Sequence, residues 1–489
     1  MSLDRRTLLK TSAAATVAAG GPFAGLAAMP AQAQPPQPFD LVPIPDERDG
    51  KVRLHLPEGF QYRSFHDTEE PVTLDDSTML PGRHDGMGSF RGPKGHYLLV
   101  RNHEVNNPMP AFGPGDPYDE MAGGGTTTIR VNRKGEAKRA FTSLNGTMMN
   151  CSGGEMPWGA WMTCEETVNG PDVGPDFTGK SNKDLKKPHG YVFEVPVSHD
   201  AAEGQSDRKP LTHAGRFAHE AVSFDPKNGH LYLTEDNYGF ASGFYRYIPP
   251  VHPMKAGRLK DGGRLQMLKI KGVDNAHMEA QKVNGATFNV VWVDIDEPDF
   301  QYDYEPGTDA PTPNNTALTH VSSQGWAKGA ALFSRLEGQV YDRGTVFFTS
   351  TQGGGAAEPD TTASTGGGYG QGSGQVWAYN IKNETLRCVY QSPGPLALDM
   401  PDNVTTSKRG TLVVCEDSSG DNYLRGLTRR GKIWDIALNR LESNTGTPRY
   451  GDEFAGSTFS PDGRMLFVNI QSSKGMTFAI WGPWGRIGC

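Results

Sequence analysis

The chain has 489 residues and a net charge of −8, from 48 lysines and arginines against 56 aspartates and glutamates. With no basic excess to hold nucleic acid or an anionic membrane, both are excluded as partners, whereas an acidic surface is compatible with bound multivalent cations. Its 61 glycines and 36 prolines make about a fifth of the chain, a share typical of many short strands joined by turns.

Residues 1–33 are predicted to be a twin-arginine signal peptide. Arg5 and Arg6 are followed by a weakly apolar stretch to about Ala28, and Ala31-Gln32-Ala33 is typical of a cleavage site. The stretch is too short and too rich in small residues for a membrane anchor. We therefore expect residues 34–489 to be a single domain without a stable anchor. The twin-arginine machinery exports proteins already folded and loaded with cofactor, so the mature protein is expected in the periplasm or outside the cell.

A repeated unit follows along the chain: a turn rich in Gly, Pro or Lys, a run of β-forming residues, then polar or acidic residues. Six copies align, and most are followed by a further strand within about 10 to 25 residues. The copies are Gly95–Glu104, Gly159–Glu166, Gly229–Asp236, Gly344–Gln352, Gly410–Asp417 and Gly463–Gln471.

The repeat predicts an all-β fold, a six-bladed β-propeller with loop insertions, and a pair of β-sandwiches is the alternative. A large insertion is expected between Asp236 and Thr349, where the spacing of the copies is longest. In a propeller the polar ends of equivalent strands converge on one mouth of the central channel. Carboxylates crowded there repel one another unless cations lie between them, so a metal site is expected in the channel. The residues expected to converge are Asn102, His103, Glu104, Glu165, Glu166, Glu235, Asp236, Gln352, Glu416 and Asp417.

Seven sequence blocks, in matching order from about Asp46 onward, resemble the PhoX-type alkaline phosphatases. The run Asn-Cys-x-Gly-Gly, then Pro-Trp-Gly, then Cys-Glu-Glu is the most specific of them. The blocks are His84–Met87, Arg101–Glu104, Asn150–Gly159, Thr163–Glu166, His219–Ala221, Ser334–Gly338 and Pro401–Asn403.

This resemblance implies a six-bladed propeller whose channel holds iron and calcium ions and binds a phosphate monoester. It implies Cys151 as a thiolate ligand of iron, Asp402 as a calcium ligand and Arg335 as a clamp on the phosphate. Arg335, Cys151 and Glu220 are the expected catalytic residues. The expected metal ligands are Cys151, Glu165, Glu166, Glu220, Glu337 and Asp402, with Glu166 preferred over its neighbour Glu165.

Chemistry supports two kinds of metal, because calcium prefers hard oxygen ligands whereas a thiolate favours a softer or more Lewis-acidic ion. Each assignment has an alternative. Cys151 can be a buried thiol, and Arg335 with Glu337 can be a local ion pair. His84 and His103, candidates to protonate the leaving group, are more often structural. The glycine-rich segment 353–374 lacks the ending of a P-loop and is interpreted as a mobile loop over the channel mouth.

The predicted function is hydrolysis of small-molecule phosphate monoesters by a secreted or periplasmic alkaline phosphatase that is a monomer. Two alternatives use the same fold: a calcium-dependent lactonase or other hydrolase, and a calcium-stabilised binding propeller without activity. Cys151 together with three glutamates distinguishes them, because a lone calcium ion has no use for sulfur.

Overall fold

The computed structural model describes residues 37–364 and 366–489, and most of the regular structure in these ranges is β-strand. The all-β class predicted from composition and repeats is therefore confirmed. The predicted signal peptide, residues 1–33, lies outside the described residues.

The strands are short, as the frequent glycines and prolines require. In chain order they are β1 (Leu41–Pro45), β2 (Val52–Pro57), β3 (Gln61–Phe65), β4 (His84–Arg91), β5 (Tyr97–His103), β6 (Gly124–Val131), β7 (Ala137–Thr147), β8 (Asn150–Met156), β9 (Ala160–Glu165), β10 (Val192–Pro196), β11 (His219–Phe224), β12 (Leu231–Glu235), β13 (Phe244–Ile248), β14 (Arg264–Ile270), β15 (Thr287–Asp294), β16 (Leu336–Asp342), β17 (Thr345–Ser350), β18 (Gln375–Asn380), β19 (Thr385–Gln391), β20 (Pro401–Thr406), β21 (Leu412–Glu416), β22 (Tyr423–Leu427), β23 (Ile433–Asn439), β24 (Glu453–Phe459), β25 (Met465–Gln471) and β26 (Met476–Trp481).

These strands form six antiparallel units of consecutive strands. Unit 1 is β4–β7, unit 2 is β8–β10, unit 3 is β11–β15, unit 4 is β16–β19, unit 5 is β20–β23 and unit 6 is β24–β26. Units 3 and 4 join edge to edge through β15 and β19, which makes one nine-stranded sheet. Each of the six repeated sequence segments forms the second strand of a unit, so the repeat predicted one strand per unit correctly.

The N-terminal strands complete the last two units. β3 pairs with β26, with Tyr62 opposite Ile480, and so becomes the outer strand of unit 6. β2 pairs with β23, with Leu54 opposite Asn439, and β1 extends the same sheet. Residues from the two ends of the chain therefore share sheets.

The first strands of the units lie side by side in ring order. Each of β4, β8, β11, β16, β20 and β24 contacts the next, and β24 contacts β4. One buried apolar cluster lies between each pair of successive units, including between units 6 and 1, where Phe467 packs with Leu99 and Ile129. The core is therefore divided into six interfaces around the first strands.

Helices are few in the described residues, as the lack of helical periodicity predicts. The α-helices are α1 (Pro253–Ala256), α2 (Asn314–Leu318) and α3 (His320–Ala327), and short 3-10 turns occupy Pro93–Gly95, Thr212–Ala214 and Trp484–Arg486. All three α-helices, with β14 and β15, lie in the long interval between Asp236 and Thr349 where an insertion is predicted. No helix among the described residues combines the length and apolar character needed to cross a membrane.

Candidate metal centre

A β-bulge occurs near the start of every first strand. The pairing of β4 with β5 shifts between His84 and Met87, so that Asp85 and Gly86 lie opposite one residue, Asn102. A bulge bends the strand and turns its extra side chain away from the regular alternation. The same shift occurs in the other five first strands, at Asn150/Gly153, His219/Val222, Leu336/Gln339, Pro401/Val404 and Ala455/Thr458.

Five of the six bulges place a side chain that could ligate a metal ion at the same point. The sixth unit has Gly456 there, where a Cβ atom would overlap the backbone oxygen of Asp85, and where the backbone N–H donates to the side chain of Asn403. Since the first strands form a ring, residues distant in sequence come together. In chain order the first residues of the bulges are Asp85, Cys151, Glu220, Glu337, Asp402 and Gly456.

The ligand atoms form three overlapping groups, and within each group they lie within 4.8 Å of one another. Cys151 belongs to the first two groups and Glu220 to the last two. All members are buried. The groups are Asp85, Glu104 and Cys151, then Cys151, Glu166 and Glu220, and then Glu220, Glu337 and Asp402.

Glu220 lies at the middle of this cluster and is 0% exposed. Neither of its carboxylate oxygens has a hydrogen-bond partner among the described residues. Burial and the nearby carboxylates of Glu337 and Asp402 raise its pKa well above the usual value. An isolated buried carboxylate is costly unless a cation or hydrogen bonds compensate it, so this position is suited to contact with a cation.

Cys151 adds one sulfur to an otherwise oxygen-rich cluster. Its Sγ donates a hydrogen bond of 2.8 Å to Oε2 of Glu166. Burial and the carboxylates of Glu166 and Glu104 raise the pKa of the thiol well above its usual value. A bound cation would reverse this preference, because a metal ion stabilises the thiolate that ligates it. The donor set therefore fits a metal centre with hard oxygen ligands and one soft ligand.

Arg335 lies beside the cluster and is 3% exposed. Its Nε and Nη2 donate to the two oxygens of Asp236, at 3.2 and 3.1 Å, and Nη2 also donates to Glu337 at 2.8 Å. The ion pair with Glu337 proposed as an alternative is present, and Asp236 adds a second pair that joins units 3 and 4. Both pairs hold the guanidinium next to a metal-ligand candidate.

Glu165 and Glu166 point to different surroundings. Glu165 accepts hydrogen bonds from the backbone N–H groups of Met148, Gly190 and Tyr191 and from Nδ1 of His189 at 2.6 Å. Its oxygens thus hold the loop before β10, while Glu166 reaches Cys151.

Two more residues of the expected convergent set, Glu235 and Glu416, also lie outside the cluster. Glu235 accepts from the N–H of Gly243, and Glu416 accepts from that of Tyr423. Since side chains alternate along an extended chain, the last strand residue faces the next turn. The residue after it faces the centre, as Glu104, Glu166 and Asp236 do. The expectation that all the polar strand ends converge is therefore wrong for Glu165, Glu235 and Glu416.

Asp85 and Glu104 belong to the ligand groups, and Asp236 pairs with Arg335 beside them, but none of the three was among the expected ligands. Glu104 and Asp236 were expected only to lie near the centre. Asp85 lies in His84–Met87, one of the blocks that resemble the family. Its position at the start of a first strand is the signal that could have identified it as a candidate ligand. An acidic residue or cysteine followed by Gly, Ser, Ala or Asn recurs at the start of five of the six first strands: Asp85-Gly86, Cys151-Ser152, Glu220-Ala221, Glu337-Gly338 and Asp402-Asn403.

The two candidate histidines are fully buried. His103 bonds to Gly82 O at 2.9 Å and to Thr127 Oγ1 at 3.0 Å, and burial with the nearby Arg101 lowers its pKa to about 3. Burial likewise lowers the pKa of His84 well below its usual value. A neutral, hydrogen-bonded His103 fits the structural interpretation better than a proton donor.

The glycine-rich segment 353–374 is tied to the body of the fold, apart from Thr365, which the structure does not describe. The N–H of Glu358 donates to the side chain of Glu279 at 3.2 Å, and Ser334 donates to Tyr369 O at 2.5 Å. Ser334 immediately precedes Arg335, so the segment lies beside the centre.

Fold and site together define an all-β protein with a buried, acidic metal-ligand cluster. A family model described as alkaline phosphatase PhoX matches residues 39–474. The chain belongs to the PhoX alkaline phosphatase family, which confirms the resemblance found in its sequence motifs. It is a metal-dependent phosphoric monoester hydrolase acting on small phosphate esters, and this selects the phosphatase over the lactonase and binding-propeller alternatives.

Comparison with solved structures supports the same fold. The chain is similar to Pseudomonas fluorescens PhoX in complex with vanadate, a transition state analogue, with a TM-score of 0.60 and 17% identity over 92% of this chain and 98% of that one. A gluconolactonase from Xanthomonas campestris (TM-score 0.36, 11% identity, 91% and 100% covered) and a virginiamycin B lyase from Staphylococcus aureus (0.37, 11%, 86% and 99%) are more distant. No curated protein sequence matches the chain.

Proposed function

We propose that this phosphatase is an exported enzyme that hydrolyses phosphate monoesters at a centre of calcium and iron ions. The observation that carries the proposal is the environment of Glu220. It is fully buried, shares two of the three ligand groups, and has no hydrogen-bond partner for either oxygen among the described residues. A carboxylate in such a place is retained at low cost only when cations contact it.

The proposed ligands divide by donor type. Asp85, Asp402, Glu220 and Glu337 offer the hard oxygens that calcium prefers, and Cys151 with Glu166 offers a site for iron. Glu165 is left out of the ligand set, because four hydrogen bonds occupy its oxygens.

Arg335, Cys151 and Glu220 are proposed to carry the reaction. Bound metal ions would neutralise phosphate charge and act as Lewis acids on the ester. Asp236 and Glu337 engage Nε and Nη2 of Arg335 and so hold the guanidinium in place before substrate arrives, which leaves Nη1 to donate to a phosphate oxygen. Cys151 and Glu220 would ligate the metal ions from the first strands of units 2 and 3. Rigid strands would therefore fix the position of the metal ions and of the phosphate bound to them.

We infer that the six units are the blades of a six-bladed propeller and that the cluster lies in its central channel. The ring of first strands and the six apolar clusters between successive units support this over a pair of β-sandwiches. Two face-to-face sandwiches would bury two main cores, whereas the observed core is divided into clusters between all six pairs of successive units.

Export by the twin-arginine route remains the proposal for residues 1–33, with residues 34–489 as a single catalytic domain. A centre built from five units supports it in physical terms. Such a centre exists only in the folded chain, and this route carries folded proteins. A monomer in the periplasm or medium is the proposed final state.

The test is elemental analysis of the mature protein purified from its own export route, with turnover of p-nitrophenyl phosphate measured before and after a calcium chelator. We expect calcium and iron together, loss of turnover on chelation, and recovery when calcium is returned. Magnesium added instead of calcium is the control and should not restore turnover, because it demands a tighter octahedral site.

Calcium without iron would overturn the mixed centre and return Cys151 to the role of a buried thiol. Turnover that survives complete removal of both metals would overturn the role of the metals altogether.

A further inference from the structure

A separate pocket opens beside the candidate metal centre. It has a volume of about 300 Å³ and is bounded on one side by Glu166, whose carboxylate belongs to the ligand cluster. Its other walls are largely apolar and aromatic. The apolar and aromatic lining residues include Met149, Phe177, Tyr238, Phe240 and Leu318.

Three segments far apart in sequence build these walls. Phe177 lies in the loop between β9 and β10, Tyr238 and Phe240 follow β12, and Leu318 ends helix α2 in the inserted region. Phe177 is 40% exposed, which is unusual for so large an apolar side chain. Chain segments from three parts of the fold thus place apolar surface next to the same carboxylate.

Tyr238 connects the pocket with the proposed phosphate clamp. Its ring centroid lies 6.0 Å from Cζ of Arg335, and its hydroxyl donates to Gly366 O at 3.1 Å. Glu166 and Tyr238 therefore place the pocket in contact with the ligand cluster and with the arginine. A phosphate held between those two would direct its organic group toward this pocket.

The charge at the rim of the pocket limits which organic groups of a substrate the pocket can accept. Asp176 also lines the pocket, where it accepts hydrogen bonds from Asn169 and Thr178. A carboxylate at the rim repels a second anionic group on the substrate, while aromatic walls favour a flat apolar one.

We propose that this pocket binds the leaving group of the substrate and gives the enzyme a preference for aryl phosphate monoesters. The proposal rests on the phosphatase centre proposed above. Offset stacking on Phe177, Phe240 and Tyr238 supplies the attraction, and burial of the ring against Leu318 and Met149 adds to it.

The test uses phosphonates, because they bind without reacting and remove differences in leaving-group chemistry. Dissociation constants of phenylphosphonate and methylphosphonate are measured by calorimetry on the metal-loaded enzyme. We expect phenylphosphonate to bind at least about tenfold more tightly, as for apolar groups that fill a pocket. Phe177→Ala and Phe240→Ala should each reduce this ratio several-fold and leave methylphosphonate binding unchanged.

Tyr304→Ala is the matched control, since Tyr304 is an aromatic residue of the inserted region, 42% exposed and outside the pocket lining. It should leave the ratio unchanged. Equal binding of the two phosphonates by the wild type, or a ratio that survives both pocket variants, would overturn the inference.

Hydrolysis of p-nitrophenyl phosphate, measured in parallel, reports the phosphatase centre independently of the phosphonate binding ratio. Its absence from metal-loaded enzyme would count against the proposed function itself. Its presence with equal phosphonate binding would overturn only the pocket.

Discussion

Cys151 differs from the other cysteines in its surroundings rather than in its burial. All five cysteines are buried and free of disulfides. Cys151 donates to Glu166, and its Sγ lies within 4.8 Å of candidate ligand atoms from four carboxylates. A cysteine placed only for packing gains nothing from acidic neighbours, since they make its ionisation harder.

We expect Cys151→Ser to lose most of the bound iron and to lower turnover about 100-fold, because a hydroxyl is a poor replacement for a thiolate ligand. Metal content by mass spectrometry and p-nitrophenyl phosphate turnover measure both effects. Cys388→Ser, a buried cysteine of strand β19, is the control and should keep its iron. Normal iron in Cys151→Ser would disprove the ligand assignment.

Arg335 is expected to act on the phosphate rather than on the metals. Arg335→Lys keeps the positive charge but loses the fork, so we expect kcat/KM to fall about 100-fold or more with metal content unchanged. Arg425→Lys is a matched control, because Arg425 is equally buried and pairs with Glu416 and Asp435 away from the cluster. A loss of activity that is the same in both variants would indicate a general loss of stability.

Residue by residue, the motifs were a better guide than local pattern. Cys151, Glu220, Glu337 and Asp402 were expected from the family blocks, and the structure brings all four together. The sequence does not show which of Glu165 and Glu166 faces the cluster, because the two residues are adjacent and identical. They differ only in the direction in which their side chains leave the end of the strand. That direction depends on His189 and on the loop that Glu165 holds.

At the level of elements, the repeated bulge positions the site. At two of the bulges, neighbouring first strands approach so closely that only glycine fits. A Cβ atom at Gly338 would lie 2.5 Å from Cα of Asn403 in the next strand, and one at Gly86 would lie 2.5 Å from Cα of Ser152. The residues after the candidate ligands Glu337 and Asp85 are therefore glycines because two backbones meet there.

We expect Gly338→Ala to lower the free energy of unfolding by about 1–3 kcal/mol, because the strands must move apart to admit the methyl group. It should also weaken metal binding, since Glu337 and Asp402 move with those strands. Urea denaturation and calcium titration measure these effects. Gly366→Ala is the control, because a Cβ atom at Gly366 meets no other atom within 4 Å. Unchanged stability of Gly338→Ala would show that the ring is looser than described.

The sequence patterns predicted the second strand of every unit. They did not predict the group of first strands. The second strands are continuous runs of β-formers, as in Leu412–Glu416. The first strands include sequences such as Asn-Cys-Ser-Gly-Gly-Glu-Met in β8, which carry little intrinsic β preference. Contacts on both sides within the ring stabilise them, and a single sequence does not display such contacts.

For the whole molecule, one buried charge couples stability to pH. His189 is fully buried, with Nδ1 2.6 Å from Glu165 and Nε2 3.6 Å from Asp119. Burial alone would lower its pKa, but the carboxylates of Glu165 and Asp119 outweigh burial and raise the pKa to about 9. The proton is therefore held more tightly in the folded state than in the unfolded state, where the pKa is about 6.5.

Stabilisation by His189 is fully present below pH 6.5 and is lost as the pH rises through about 9. The full effect is at most about 3 kcal/mol. We expect the thermal midpoint of the wild type to fall between pH 7 and pH 10 more steeply than that of His189→Gln, which has no proton to lose. Parallel pH profiles of the two proteins would contradict this coupling.

The pairing of β3 with β26 also fixes when the ring can close. Strand β3 leaves the ribosome among the first residues of the described fold, and its partner, Met476–Trp481, is among the last. Until then the sheet that contains β24 lacks β26 and, with it, the paired strand β3. The position between β20 and β4 is therefore not yet filled by a complete unit. Unit 6 is thus complete only when Met476–Trp481 has been made, so deletion of either β3 or β26 would remove part of the sheet that supports β24.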